Sequence, residues 1–310
     1  MKPIVLNQSH LKAYLNCNRL YGWYRIQKLE PVSRRSAPEI GTAIHAGLRV
    51  LHATDGSLSA ALDTARKELV TRAGPRSAFE DMNLPEADAI VTKVLPAYDA
   101  YWKDRFEKWT PLDQEVQFLV EVGTRTSVFL RGRADNLSML HGGLYLVDYK
   151  TAGRMDPRDL LKYELDLQLT AYIYGISKQL TEDSVREGGE PVRVQGAIID
   201  VLVKTTIPQF ARELFTRTDS ELKEFEDEFV EYGRRIRSQL DRVDAGENWK
   251  VVFPKNTDHC FRFGTCPFRD LCLSDTPVRR QAFNKRTPDY VDEAQQALSD
   301  VYTQERGETK

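Results

Sequence analysis

Hydrophobic and polar positions change their period twice along this chain. In "NQSHLKAYLNCNRLYGWYRIQKLEP" the apolar residues Tyr14, Leu15 and Leu20 recur at helical spacing, with Ser9 as the expected cap and Pro31 as the stop. "EIGTAIHAGLRVLHA" predicts a second helix, entered near Gly41. Residues 55 to about 109 continue mostly helical, with breaks expected at Gly74-Pro75 and at Pro85. The period then shortens. "DQEVQFLVEV", "TSVFLRGRADNLSML" and "GLYLVDYKTA" are β-rich and separated by Gly123 and by His141-Gly142-Gly143, which predicts an antiparallel meander. Helical spacing returns over "PRDLLKYELDLQLTAYIYGISKQL". Strands are expected at "RVQGAIIDVLVKT" and near "QFARELFTR", then a charged helix over 219–242. This succession predicts an α/β fold with a mixed central sheet flanked by helices. One domain is expected over 1–275, with a helical insertion at about 55–109, a cysteine-rich loop at 258–275 and a polar C-terminal tail from 276 to 310.

Composition narrows the class. With 310 residues, 41% hydrophobic and 29% charged, the chain reads as globular rather than disordered. A net charge of −2 excludes a globally basic coat, but not a local basic groove for nucleic acid. No apolar run reaches membrane-spanning length, and "MKPIVLNQSH" lacks a signal-peptide core, so a reducing, cytoplasmic setting is expected and no membrane partner. The four cysteines are then expected as metal ligands or free thiols rather than disulfides. No Walker-type phosphate loop is present.

The candidate chemistry sits at the end of an apolar strand. In "GLYLVDYKTA", Asp148 and Lys150 are two apart and share one strand face, with Val147 and Tyr149 on the other. Asp135 closes the preceding strand in "GRAD", where an antiparallel neighbour could set it beside Asp148. Two carboxylates there would bind a hard divalent cation, and a lysine could orient or deprotonate a water, which suits phosphodiester hydrolysis. Singly these signals are common. Acid-x-Lys occurs at Asp148/Lys150, Glu221/Lys223 and Glu308/Lys310, and Gly-x-x-Asp at Gly132/Asp135 and Gly153/Asp156. An isolated triplet of this kind is more often a surface ion pair. Only Asp148/Lys150 ends an apolar strand and follows a Gly-x-x-Asp at hairpin distance.

"GRAD…LVDYKT" followed by "QLTAY" resembles the RecB-like branch of the PD-(D/E)XK nucleases, in which Gly-x-x-Asp, (Asp/Glu)-x-Lys and Gln-x-x-x-Tyr occur in this order. Gln168 to Tyr172 is the only Gln-x-x-x-Tyr here, and at i to i+4 both share one helix face. "GTAIHAGL" resembles that branch's Gly-x-x-x-His helix, which maps to His45. The resemblance implies a restriction-endonuclease-like core and Mg²⁺- or Mn²⁺-dependent cleavage of DNA. Asp135, Asp148 and His45 would hold the metal, Lys150 would position the water, and Gln168 and Tyr172 would contact the substrate. Glu115 resembles an additional acidic residue near such sites, with Glu121 on the same strand as a competitor. Tyr21, Trp23 and Tyr24 are candidates for core packing ahead of stacking on bases.

Cys260, Cys266 and Cys272 lie in the Gly/Pro-punctuated "TDHCFRFGTCPFRDLCLS", and Cys17 lies far upstream. By chemistry alone, buried free thiols, a zinc site and an iron–sulfur cluster all stay open, the spacing being wide for a zinc knuckle. The layout resembles CRISPR-adaptation exonucleases and AddB-type nuclease subunits, with one cysteine before the core and three after it. That implies a 4Fe–4S cluster on all four, stapling the N-terminal helix to the C-terminal loop. The function expected is an exonuclease on DNA ends or single strands in recombination, repair, CRISPR adaptation or phage DNA processing. The alternatives are a non-catalytic DNA-binding or assembly subunit, and a nuclease active only within a larger complex of such partner proteins.

Overall fold

The computed structural model describes residues 2–32, 36–53, 56–73, 83–103, 105, 109–156, 158–262 and 264–305. The expected Gly74-Pro75 break and the Glu308/Lys310 triplet lie outside the described residues. β1 (Ile4–Leu6) leads into α1 (Gln8–Asn16), α2 (Asn18–Tyr21), a π-helical turn (Gly22–Ile26) and β2 (Leu29–Pro31). Three longer helices follow, α3 (Ser36–Leu51), α4 (Leu58–Ala73) and α5 (Leu84–Trp102). The meander is β3 (Thr110–Glu121), β4 (Val128–Leu140) and β5 (Gly143–Ala152). Then come α6 (Arg158–Leu161), α7 (Leu167–Arg186), β6 (Val194–Val203), β7 (Gln209–Phe215) and α8 (Asp219–Asp244). Short α9 (Trp249–Val252), α10 (Arg269–Leu273), α11 (Pro277–Arg280) and β8 (Phe283–Lys285) precede α12 (Tyr290–Glu305).

Several boundaries differ from the expected ones for local reasons. The α1 cap is Asn7 rather than Ser9: Asn7 holds the extended conformation and its side chain accepts from the His10 N–H. Pro85 opens α5 instead of breaking it, because proline suits the first turn, where its missing N–H is no loss. α3 starts at Ser36, so Gly41 lies inside the helix. A Cβ at Gly41 would stand 2.7 Å from Thr151 Oγ1, so close packing explains a glycine there. The expected single helix over 157–180 is interrupted by Asp166, whose carboxylate caps α7 by accepting from the N–H groups of Gln168 and Leu169.

The chain forms two compact units, with β3 and β4 contributing residues to both. Unit 2 comprises Ser33–Gln117 and Arg133–Arg217. In it β4 pairs antiparallel with β5, β5 parallel with β6, and β6 antiparallel with β7, which makes the mixed sheet. His141 and Gly142 both have positive φ in the two-residue turn from β4 to β5, a geometry that fits the strand twist and fixes the register. α3, α4 and α5 bury Ile44, Leu48, Leu69, Val91 and Leu95 against Val147, Tyr149, Ile198 and Leu202 of the sheet. Leu146, Ala197 and Ile199, of opposite parity, are buried as well, so helices cover both faces of the sheet. A charged network lies in this core. Asp200 accepts from Tyr98 Oη at 2.6 Å and from Arg212 Nε at 2.8 Å, and the Arg212 guanidinium lies over the rings of Trp102 and Trp109.

Unit 1 comprises Met1–Val32, Phe118–Gly132 and Thr218–Lys310. β1 pairs parallel with Val128–Leu130 of β4, and β2 pairs antiparallel with β8. Thr218 and Glu221 form a capping box at the start of α8, and Gly233 lets that helix approach Val128. The polar tail, for which a short helix or an arm that orders on binding is expected, carries α11, β8 and the longer α12 through Glu305. Gln295 of α12 accepts from the Val5 N–H and donates to the Pro3 carbonyl, and Asp289 and Asp292 pair with Arg25 and Arg286.

Candidate active site

β5 is apolar until its end, and its alternation sends Val147 and Tyr149 into the core while Asp148 and Lys150 share the other side. The β4–β5 ladder pairs Asn136 with Val147, so the next position sets Asp135 beside Asp148. The Tyr149 N–H donates to Asp135 Oδ2 at 3.0 Å. Lys150 Nζ lies 2.5 Å from Asp148 Oδ2 and donates to Gln168 Oε1 at 3.1 Å. Gln168 Nε2 in turn donates to Asp148 Oδ1 at 3.1 Å. From α3, His45 Nδ1 comes within 3.4 Å of Asp135 Oδ2. Residues up to 123 positions apart in sequence thus meet in one cluster within unit 2.

Burial controls the charges. It raises the Asp148 carboxyl to about 6, reinforced by Asp135 and opposed by Lys150. Asp135 is raised for the same reason, with the Tyr149 N–H pulling the other way. Burial also works against the Lys150 ammonium, but Asp148 and Asp135 outweigh it and its pKa lies above the ordinary value. His45 is lowered to about 4, chiefly by burial, so its ring is neutral near pH 7 and its contact with Asp135 is not an ion pair.

Among the described residues, no three His, Cys, Asp or Glu side chains converge on a ready single-ion site. The set is closed on itself: both Asp148 oxygens are in contact with Lys150 or Gln168. Its chemistry nevertheless fits a hard divalent cation. Two carboxylates whose ionisation is opposed by burial share the single Lys150 ammonium, so a cation would add the further positive charge they need, and a neutral imidazole lies beside them.

A cleft of about 510 Å³ opens here, lined by His45, Asp135 and Lys150 among others. It also contains Arg49 and Arg133, which sequence reasoning missed. Their signal was present: Arg49 is one helical turn beyond His45, and Arg133 is two strand positions before Asp135. Glu115 faces this cleft, pairing with both arginines, whereas Glu121 accepts from the Ser127 N–H in unit 1. Tyr172, one turn beyond Gln168, is buried with 6% exposed, so it packs rather than facing solvent.

In unit 1 the four cysteines gather. None is in a disulfide, and Cys266 and Cys272 each sense the charges of Cys260 and Cys17. Burial raises both thiols above their ordinary value. N–H donors point at the sulfurs: Trp23 Nε1 lies 3.2 Å from Cys272 Sγ, and the Asn256 amide 3.3 Å from Cys17 Sγ. Thiols with N–H donors on two of their sulfurs have the chemistry of ligands to a soft metal, although among the described residues no three of them are set around a single ion. Trp23 and Tyr21 are buried, stacking on Phe268 and Phe253 as core residues.

A sequence model of the PD-(D/E)XK nuclease superfamily matches residues 5–273. No protein of curated function matches the chain. A crystal structure described as a "Putative exonuclease" from Eubacterium rectale is similar over 94% of this chain and 92% of that one, at 15% identity and a TM-score of 0.46. The structure of protein VC1899 from Vibrio cholerae is similar over 73% of this chain and 57% of that one, at 12% identity and a TM-score of 0.19.

Proposed function

We propose that this chain, which belongs to the PD-(D/E)XK nuclease superfamily, is a Mg²⁺- or Mn²⁺-dependent deoxyribonuclease acting as an exonuclease on DNA ends or single strands. The observation that carries the reading is the meeting of Asp135, Asp148, Lys150, Gln168 and His45 in one cluster beside the cleft, from two strands and two helices that the sequence separates widely. Asp135 and Asp148 would hold the cation, with His45 as a further ligand. When bound, it would neutralise charge developing on the phosphate and lower the pKa of a water. Lys150 is the residue to hold that water, because its ammonium lies beside both carboxylates and stays charged. Gln168 orients Lys150 and Asp148 together, accepting from one and donating to the other. His45, neutral near pH 7, has a nitrogen lone pair to offer.

We also propose that Cys17, Cys260, Cys266 and Cys272 hold a 4Fe–4S cluster as a structural cross-link. Its support is the gathering of four free thiols from the two ends of the chain, with N–H donors on the Cys17 and Cys272 sulfurs.

The test is Mn²⁺-dependent digestion of end-labelled single- and double-stranded DNA by the parent, Asp148→Ala and Lys150→Ala. Loss of at least about a hundredfold in kcat is expected for Lys150→Ala, the contribution typical of one proton-handling group. Parent protein inert with both metals, or variants as active as the parent, would refute the assignment.

A further inference from the structure

The cleft beside the candidate metal site holds a built anion-binding device. Arg49 Nη1 lies 3.0 Å from Glu115 Oε1, and Arg133 Nε lies 2.8 Å from Glu115 Oε2. Two guanidinium groups, from a helix and a strand, therefore grip the two oxygens of one carboxylate. Guanidinium forks bind phosphate oxygens in the same manner. All three side chains keep 32–54% of their surface exposed, so an incoming strand can reach them.

The backbone marks Glu115 as well. Its φ is +53°, inside strand β3, whereas the other described non-glycine residues with positive φ lie in turns and loops. A left-handed residue within a strand breaks the alternation and re-aims its side chain, an arrangement retained where something depends on it. Here the kinked strand brings the carboxylate onto both arginines. The neighbouring Gln114 Nε2 donates to the Arg49 carbonyl at 2.9 Å, tying β3 to the end of α3.

We propose that Arg49 and Arg133 form a clamp for a backbone phosphate of the DNA strand, and that Glu115 is its stand-in anion, holding the two guanidiniums in place until phosphate displaces it. The proposal rests on the nuclease reading of the adjoining site and assigns that site its substrate contact. By position, Arg49 is one turn from His45 and Arg133 two residues from Asp135, so a phosphate on the clamp belongs to the strand being cleaved. Glu115 thereby becomes a positioning residue for substrate binding rather than a third acidic metal ligand.

The experiment is fluorescence anisotropy of a labelled single-stranded oligonucleotide with the full chain in EDTA, across a salt series, for the parent, Arg49→Gln, Arg133→Gln, Glu115→Gln and Glu115→Gly. Each arginine variant should weaken binding about tenfold and reduce the slope of log affinity against log salt by about 0.7, the value for one phosphate contact on a single strand. Both Glu115 variants should bind more tightly, the glycine variant also relieving the left-handed backbone. Thermal melts matching the parent show that the fold is kept. The clamp is overturned if the parent does not bind, or if the arginine variants keep the parent's affinity and slope. It is equally overturned if Glu115→Gln leaves EDTA binding unchanged and only raises the Mn²⁺ requirement, as for a metal ligand. Mn²⁺-dependent cleavage by the parent separates the two readings: cleavage with normal binding by the arginine variants removes the clamp and leaves the nuclease.

Discussion

Asp148→Asn should stabilise the metal-free protein at neutral and alkaline pH while abolishing cleavage. The carboxyl is 4% exposed and its pKa rises from 3.8 to about 6 through burial, with Asp135 adding to the effect. A carboxyl raised on folding contributes stability that is fully present below the unfolded value and lost as pH rises through the folded one. At about 1.4 kcal/mol per tenfold change in proton affinity, the full span is about 3 kcal/mol. About half of that falls between pH 5 and pH 8, because at pH 5 the folded carboxyl is mostly protonated and at pH 8 it is not. Asparagine keeps the shape of the protonated form and does not ionise. Urea unfolding in EDTA should therefore show the variant gaining on the parent by about 1 kcal/mol from pH 5 to pH 8. Mn²⁺ should reverse the order by stabilising the parent alone. A gap that stays flat with pH, or a variant less stable than the parent at pH 8 in EDTA, would refute the account of Asp148 as a carboxylate held at a cost for a cation.

Three further outcomes follow from packing and pairing. Arg212→Met removes the cation paired with the fully buried Asp200, so it should cost about 3–5 kcal/mol in denaturant unfolding, most of it recovered by adding Asp200→Asn. Gly132→Ala places a Cβ 2.2 Å from the buried Phe118 ring, and an overpacking loss of about 1–3 kcal/mol is expected in the same assay. Cys17→Ser, purified anaerobically, should lose iron and visible absorption together with thermal stability; a colourless parent, or a variant with the parent's iron content, would remove the cluster.

The placement of Asp135, Asp148 and Lys150 was legible because it follows from strand alternation and short spacings. Asp148 and Lys150 share a face by the two-residue period of β5, and the His141-Gly142 turn fixes the register that brings Asp135 alongside. The same local rules exposed the meander, the long helices and the i, i+4 pair on α7. Other features depended on partners that no local pattern reveals. That Gln168 meets Lys150 depends on where α7 returns to the sheet, and that return also buries Tyr172. The glycines of the two motifs have no local explanation in sequence: Gly41 and Gly132 are set by Thr151 and Phe118 across the fold. Arg49 and Arg133 lay in plain view as ordinary charges, and Glu115 stood out only as an additional acid. Only the kink in β3 aims Glu115 at both guanidiniums, because a left-handed backbone inside a strand has no signature in the period of the sequence. Alternation determines which side chains share a face; the tertiary structure decides which charges they meet there.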